Sequence, residues 1–128
     1  MDAEITGVIE VMEESECRRW WFRRLHPGGV VKCPEPACAV CLPDDKVDTL
    51  REGGRVRCPS CGRWVEARTG TPFCGVHSSW AQLYLIAEAR RLRDFPGFSM
   101  SDRVLAAWTG LSTDTIKRIN TRLQELDQ

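Results

Sequence analysis

The chain has 128 residues, which is room for one domain or two very small ones and not for a large catalytic domain beside them. Hydrophobic residues make up 42% and charged residues 28%, the balance of an ordinary globular chain, and no apolar run approaches the ~20 residues of a membrane helix. The formal net charge is zero, yet residues 1–16 hold six acids and no base, whereas residues 17–128 hold 18 bases against 12 acids.

Fifteen of those bases are arginine, the side chain best shaped for bidentate phosphate contacts. That bias permits a nucleic-acid partner without establishing one. Seven cysteines, an odd number, fit a reduced compartment better than a disulfide framework. The N-terminus is acidic where a signal peptide would be basic. Together these features predict an intracellular, cytoplasmic protein.

Residues 1–27 read as an acidic and aromatic helical segment. Ile5, Val8, Ile9 and Met12 recur at the spacing of one helix face. Ser15 is placed to cap a second stretch, Glu16 to Leu25, with Cys17, Trp20 and Trp21 as its buried edge. His26 reads as a surface or cap residue, and Pro27-Gly28-Gly29 ends the helix. The acidic face suits solvent, or else a protein-contacting or DNA-mimicking arm.

Residues 28–75 hold four β-like runs, Val30–Lys32, Val47–Arg51, Arg55–Cys58 and Arg63–Arg68, with Gly53-Gly54 as a hairpin signal. So few aliphatic residues cannot bury a sufficient core, so cysteines are expected to staple the segment. Cys33-Pro-Glu-Pro-Ala-Cys38 and Cys58-Pro-Ser-Cys61-Gly62 form two turns, each able to aim two thiolates at one tetrahedral ion. The first assignment is therefore one structural Zn²⁺ on Cys33, Cys38, Cys58 and Cys61, within a four-cysteine zinc ribbon of short antiparallel strands. Two other spacings compete: Cys38 with Cys41, and a set drawing in Cys74 and His77. A redox dithiol at Cys58 and Cys61 lacks the strand-to-helix setting such motifs use.

Residues 78–128 read as helical. Ser79-Trp80-Ala81-Gln82 has the form of a capping box, with Trp80, Leu83, Tyr84 and Ala87 on one stripe. A second helix starts at Ser99–Asp102, turning Val104, Leu105 and Trp108 inward. After Thr109-Gly110-Leu111, Ser112 or Thr113 caps a third, with Ile116, Ile119, Leu123 and Leu126 along its seam. This layout is that of a helix-turn-helix. It leaves Ser112, Thr113, Asp114, Lys117, Arg118 and Thr121 on the face that would enter a major groove. Trp80 and Trp108 suit the core rather than base stacking.

From Cys17 to Leu126 the chain resembles the N-terminal zinc-ribbon region of bacterial insertion-sequence transposases. The resemblance runs through the Cys-Pro turn at Cys33, Arg57-Cys58-Pro-Ser-Cys61-Gly62-Arg63, Thr69-Gly70-Thr71-Pro72-Phe73, the tryptophan-led helix at Trp80 and the helix-turn-helix. It implies recognition of DNA ends, with the four cysteines as ligands. The family's acidic-triad nuclease domain has no counterpart in these residues, Ala39 stands where the family has glycine, and Cys41 is an extra thiol.

The sequence thus predicts a small α+β, zinc-dependent protein bound to double-stranded DNA, a regulator or accessory factor of a mobile element or phage. Arg55, Arg57, Arg63 and Arg68 would hold the phosphate backbone. Neither histidine has a nucleophile or carboxylate partner placed by sequence, so no enzymatic activity is expected. The rival expectation is an adaptor or inhibitor binding a host complex, such as RNA polymerase or a nuclease complex, through its acidic N-terminal helix.

Overall fold

A computed structural model describes residues 13–92 and 100–127. The Ile5/Val8/Ile9/Met12 stripe lies outside them. The described elements are α1 (Glu14–Leu25), a single 3-10 turn (Pro27–Gly29), α2 (Asp44–Arg51), β1 (Val56–Arg57), β2 (Trp64–Val65), α3 (Trp80–Leu92), α4 (Asp102–Thr109) and α5 (Thr113–Asp127). The fold is small α+β, with one two-stranded antiparallel sheet in the register Val56↔Val65 and Arg57↔Trp64. No helix among the described residues is long and apolar enough to cross a membrane. Contacts divide the chain into two units, Arg18–Gly75 and Met1–Cys17 with Val76–Gln128.

In the first unit, α1 presents fully buried Trp21 and Phe22. Trp21 meets Phe73 edge-on, with ring centroids 4.9 Å apart. Cys17 and Trp21 are buried as the sequence predicts, while Trp20 is only half-buried. Ser15 caps nothing: it lies inside α1, which begins at Glu14 with Glu14 and Glu16 in its first turn, where acids favour the helix dipole. His26 corrects a second expectation. It is buried, and its Nε2 lies 2.7 Å from the carbonyl oxygen of Ala67.

The largest departure from the sequence reading is α2. Val47–Arg51 is helix, not strand. Pro43 opens it, Asp44 and Asp45 occupy its first turn, and Val47 and Leu50 are buried three residues apart, a helical spacing. Gly53-Gly54 is therefore a helix stop rather than a hairpin. The Gly53 N–H donates to the Leu50 carbonyl and the Gly54 N–H to that of Thr49, the paired bonds of a Schellman cap.

In the second unit α3, α4 and α5 pack on one another. Ser79 caps α3 as expected: its Oγ accepts from the Gln82 N–H at 3.1 Å, and Gln82 Oε1 accepts from the Ser79 N–H at 2.8 Å. The Glu14 carboxylate adds a cap from a distant part of the chain, accepting from the N–H groups of Trp80 and Ala81 at 2.8 and 2.9 Å. The buried stripe of α3 is Trp80, Ala81, Leu83, Ile86 and Ala89, so Tyr84 and Ala87 lie at its margin. In α4 Leu105 is buried while Val104 is exposed and Trp108 half-buried, correcting the expected inward trio. Gly110, at φ 77°, ends α4. The Gln82 Nε2 donates to the Thr109 carbonyl at 2.8 Å, tying α3 to that turn.

Candidate metal centre

Cys33, Cys38, Cys58 and Cys61 come together, their sulfur atoms all within 4.8 Å of one another. Cys33 Sγ lies 3.5 Å from Cys61 Sγ, and Cys38 Sγ lies 3.7 Å from Cys58 Sγ. Around a tetrahedral divalent ion with bonds of about 2.3 Å, sulfurs stand about 3.8 Å apart. The four thiols therefore fit one such ion. Cys41 and Cys74 are exposed thiols outside this group, and His77 is exposed and also outside it.

Two matching turns build the site. The Cys58 N–H donates to the Arg63 carbonyl and the Gly62 N–H to that of Cys58. In the other turn the Cys33 N–H donates to the Val40 carbonyl, and those of Cys38 and Ala39 both donate to the Glu35 carbonyl. Lys32 bridges Cys41 as Arg57 pairs with Trp64. Four residues separate the first pair of cysteines and two the second, yet each turn closes through a residue in the left-handed region. That residue is Gly62 at φ 78° in one and Ala39 at φ 48° in the other. Ala39 is the only non-glycine with positive φ among the described residues.

The turns also set the charge of the sulfurs. The N–H groups of Cys61 and Ser60, aided by the sulfurs of Cys38 and Cys33, hold the Cys58 thiol down at about 7 against the burial that opposes ionisation. At Cys33 the N–H of Glu35 pulls the same way, but burial and the sulfurs of Cys61, Cys58 and Cys38 push the thiol up to about 12. Four neighbouring thiols cannot all ionise unless a cation lies among them. A divalent ion meets that demand.

The Thr69–Phe73 segment supports the site without contributing a ligand. Thr69 Oγ1 accepts from the Glu66 N–H, while Thr71 Oγ1 donates to the Arg68 carbonyl and accepts from the Phe73 N–H. These bonds fix the turn that delivers Phe73, fully buried, against Trp21.

The four arginines expected on the phosphate backbone have different surroundings. Arg63 pairs with Glu35 at 3.2 Å, linking the two cysteine turns. Arg68 is half-buried and has a partner of its own. Arg55 and Arg57 are exposed, with guanidinium carbons 4.3 and 4.6 Å from the centroid of the Trp64 indole. Trp64 was not among the residues singled out from the sequence, because its outward side is set by the hairpin register.

In the helical unit Ser112, Thr113, Asp114, Lys117, Arg118 and Thr121 are all exposed. Ile116, Ile119 and Leu123 are buried on the opposite side of α5, and Leu126 is half-buried. Ser112 is the cap, its Oγ accepting from the Thr115 N–H at 3.1 Å. Comparison of the chain with protein-family models, with curated proteins and with solved structures finds no match.

Proposed function

We propose that this chain is a zinc-dependent DNA-binding protein, a stand-alone counterpart of the recognition region of insertion-sequence transposases serving as a regulator or accessory factor of a mobile element or phage. Zn²⁺ suits the cysteine set because four thiolates at tetrahedral spacing are the ligands of a closed structural zinc site. Bound there, the ion supplies folding energy rather than reaction chemistry. The two cysteine turns and their hairpin then form a zinc ribbon, with Arg55 and Arg57 free to meet phosphate.

The observation that carries the DNA reading is the sidedness of α5. Its apolar seam is buried against α3 and α4, while Ser112, Thr113, Asp114, Lys117, Arg118 and Thr121 share the opposite, exposed side. In a helix-turn-helix, α4 would lie across the backbone and α5 in the major groove. There Lys117 and Arg118 suit guanine or phosphate, the hydroxyls suit base edges or phosphate, and Asp114 suits the cytosine amino group. The opposing reading, an adaptor for a protein complex, draws on the arginines already paired with acids, among them Arg18, Arg51, Arg63 and Arg90.

A gel shift of the full-length, zinc-loaded chain on duplex DNA at two salt concentrations separates the two readings. Binding should weaken steeply with salt, and Arg118→Ala should cost about 1–3 kcal/mol at a preferred site. Absence of duplex binding at low salt would transfer the function to a protein partner.

A further inference from the structure

The β1–β2 hairpin has an outer face that the duplex reading does not use fully. Strand alternation turns Val56 and Val65 inward and their neighbours Arg57 and Trp64 outward. Trp64 remains 45% exposed, one of the large apolar side chains left in contact with solvent. Arg55 and Arg57 both reach over its ring. Neither arginine forms an ion pair among the described residues, although Glu66 stands one residue beyond β2, exposed and itself unpaired there. Elsewhere in the same unit Arg18, Arg51 and Arg63 are matched with carboxylates. Two cations without a carboxylate partner thus stand together beside the exposed indole.

We propose that Arg55, Arg57 and Trp64 form a binding site for single-stranded nucleic acid, in which an unpaired base stacks on the indole and the flanking phosphates take the two guanidiniums. An aromatic platform beside a positive groove is the chemistry by which single strands are held without regard to sequence. Duplex DNA cannot use it, because its bases keep their faces stacked on one another. An acidic peptide could engage the arginines but would leave the ring uncovered. The indole–guanidinium contacts keep the platform extended until a strand arrives. The arginines then exchange the ring for phosphate while the base takes their place.

The site is independent of α5, and variants separate the two. Fluorescence anisotropy of labelled oligothymidylate and oligouridylate of about 12 nucleotides, within the span such platforms engage, would be read with the full-length metal-bound chain at low salt. The parent should bind one or both strands, the pattern distinguishing DNA from RNA as the natural form. Trp64→Ala should weaken binding about tenfold or more, Trp64→Phe should restore most of it, and Arg55→Ala with Arg57→Ala should flatten the salt dependence. Arg118→Ala should leave it unchanged. Metal content and circular dichroism of each variant verify the fold. No binding by the parent, or equal binding by Trp64→Ala, would overturn the proposal. So would polyglutamate competing as well as the oligonucleotides with the same dependence on Trp64, which would put an acidic protein in the strand's place.

Discussion

Between Arg18 and Gly75 the regular structure is most of α1, the eight residues of α2 and two strands of two residues each. The helices of the other unit run for 13, 8 and 15 residues. The contrast extends to what closes each unit. In the helical one Ile116, Ile119 and Leu123 of α5 are buried, as are Leu83 and Ile86 of α3 and Leu105 of α4, the helices it packs on, and every helix start has a side-chain cap: Ser79 and Glu14 for α3, Ser101 for α4, Ser112 for α5. In the other, two irregular turns bring four sulfurs together, and a short aromatic core, Trp21, Phe22 and Phe73, lies fully buried. Burial and capping specify the first kind of structure locally. The second kind needs partners from far along the chain, and an ion is the simplest common partner for four thiols.

On that contrast, the two units answer differently to loss of metal. Chelation, or Cys58→Ser, removes a contribution on the order of 10 kcal/mol. Amide resonances of Arg18–Gly75 should then lose their dispersion while those of α3, α4 and α5 keep theirs. Equal survival of both sets would erase the distinction. Ile119→Ala acts on the other side of the comparison. The side chain is fully buried, and its truncation should cost about 3 kcal/mol in the unfolding of the helical unit without changing metal affinity.

The smallest expected effect compares the two cysteine turns. Ala39 holds a left-handed conformation that Gly62 adopts freely, at a cost of about 1 kcal/mol for a residue with a Cβ. Ala39→Gly should therefore raise the thermal stability of the metal-bound protein, and Gly62→Ala should lower it by a similar amount. Equal changes of the same sign would show that the turns are not equivalent.

How much of this was readable from the sequence follows the same division. The capping box at Ser79, the glycine turn at Gly110 and the buried isoleucines of α5 are local patterns, and each is present in the structure. The four clustered cysteines were also legible, because their spacing within each turn is a local property. What escaped was settled at a distance. The Glu14 carboxylate caps a helix 66 residues away, and His26 is buried by its approach to Ala67. Val47–Arg51 contains a β-branched valine and threonine that suggest a strand, but the preceding Pro43-Asp44-Asp45 and the stop at Gly53 outweigh them. Trp64 stayed hidden because only the register of the hairpin shows which side of the strand it occupies.

The most direct test of the account is elemental analysis of the full-length chain purified without chelators, with single Cys→Ser variants at Cys33, Cys38, Cys58 and Cys61 beside it. One zinc per chain, reduced in each of those four variants and retained in Cys41→Ser and Cys74→Ser, is the predicted result. A parent chain that holds no stoichiometric metal, and whose Arg18–Gly75 unit keeps its fold in the presence of a chelator, would contradict it.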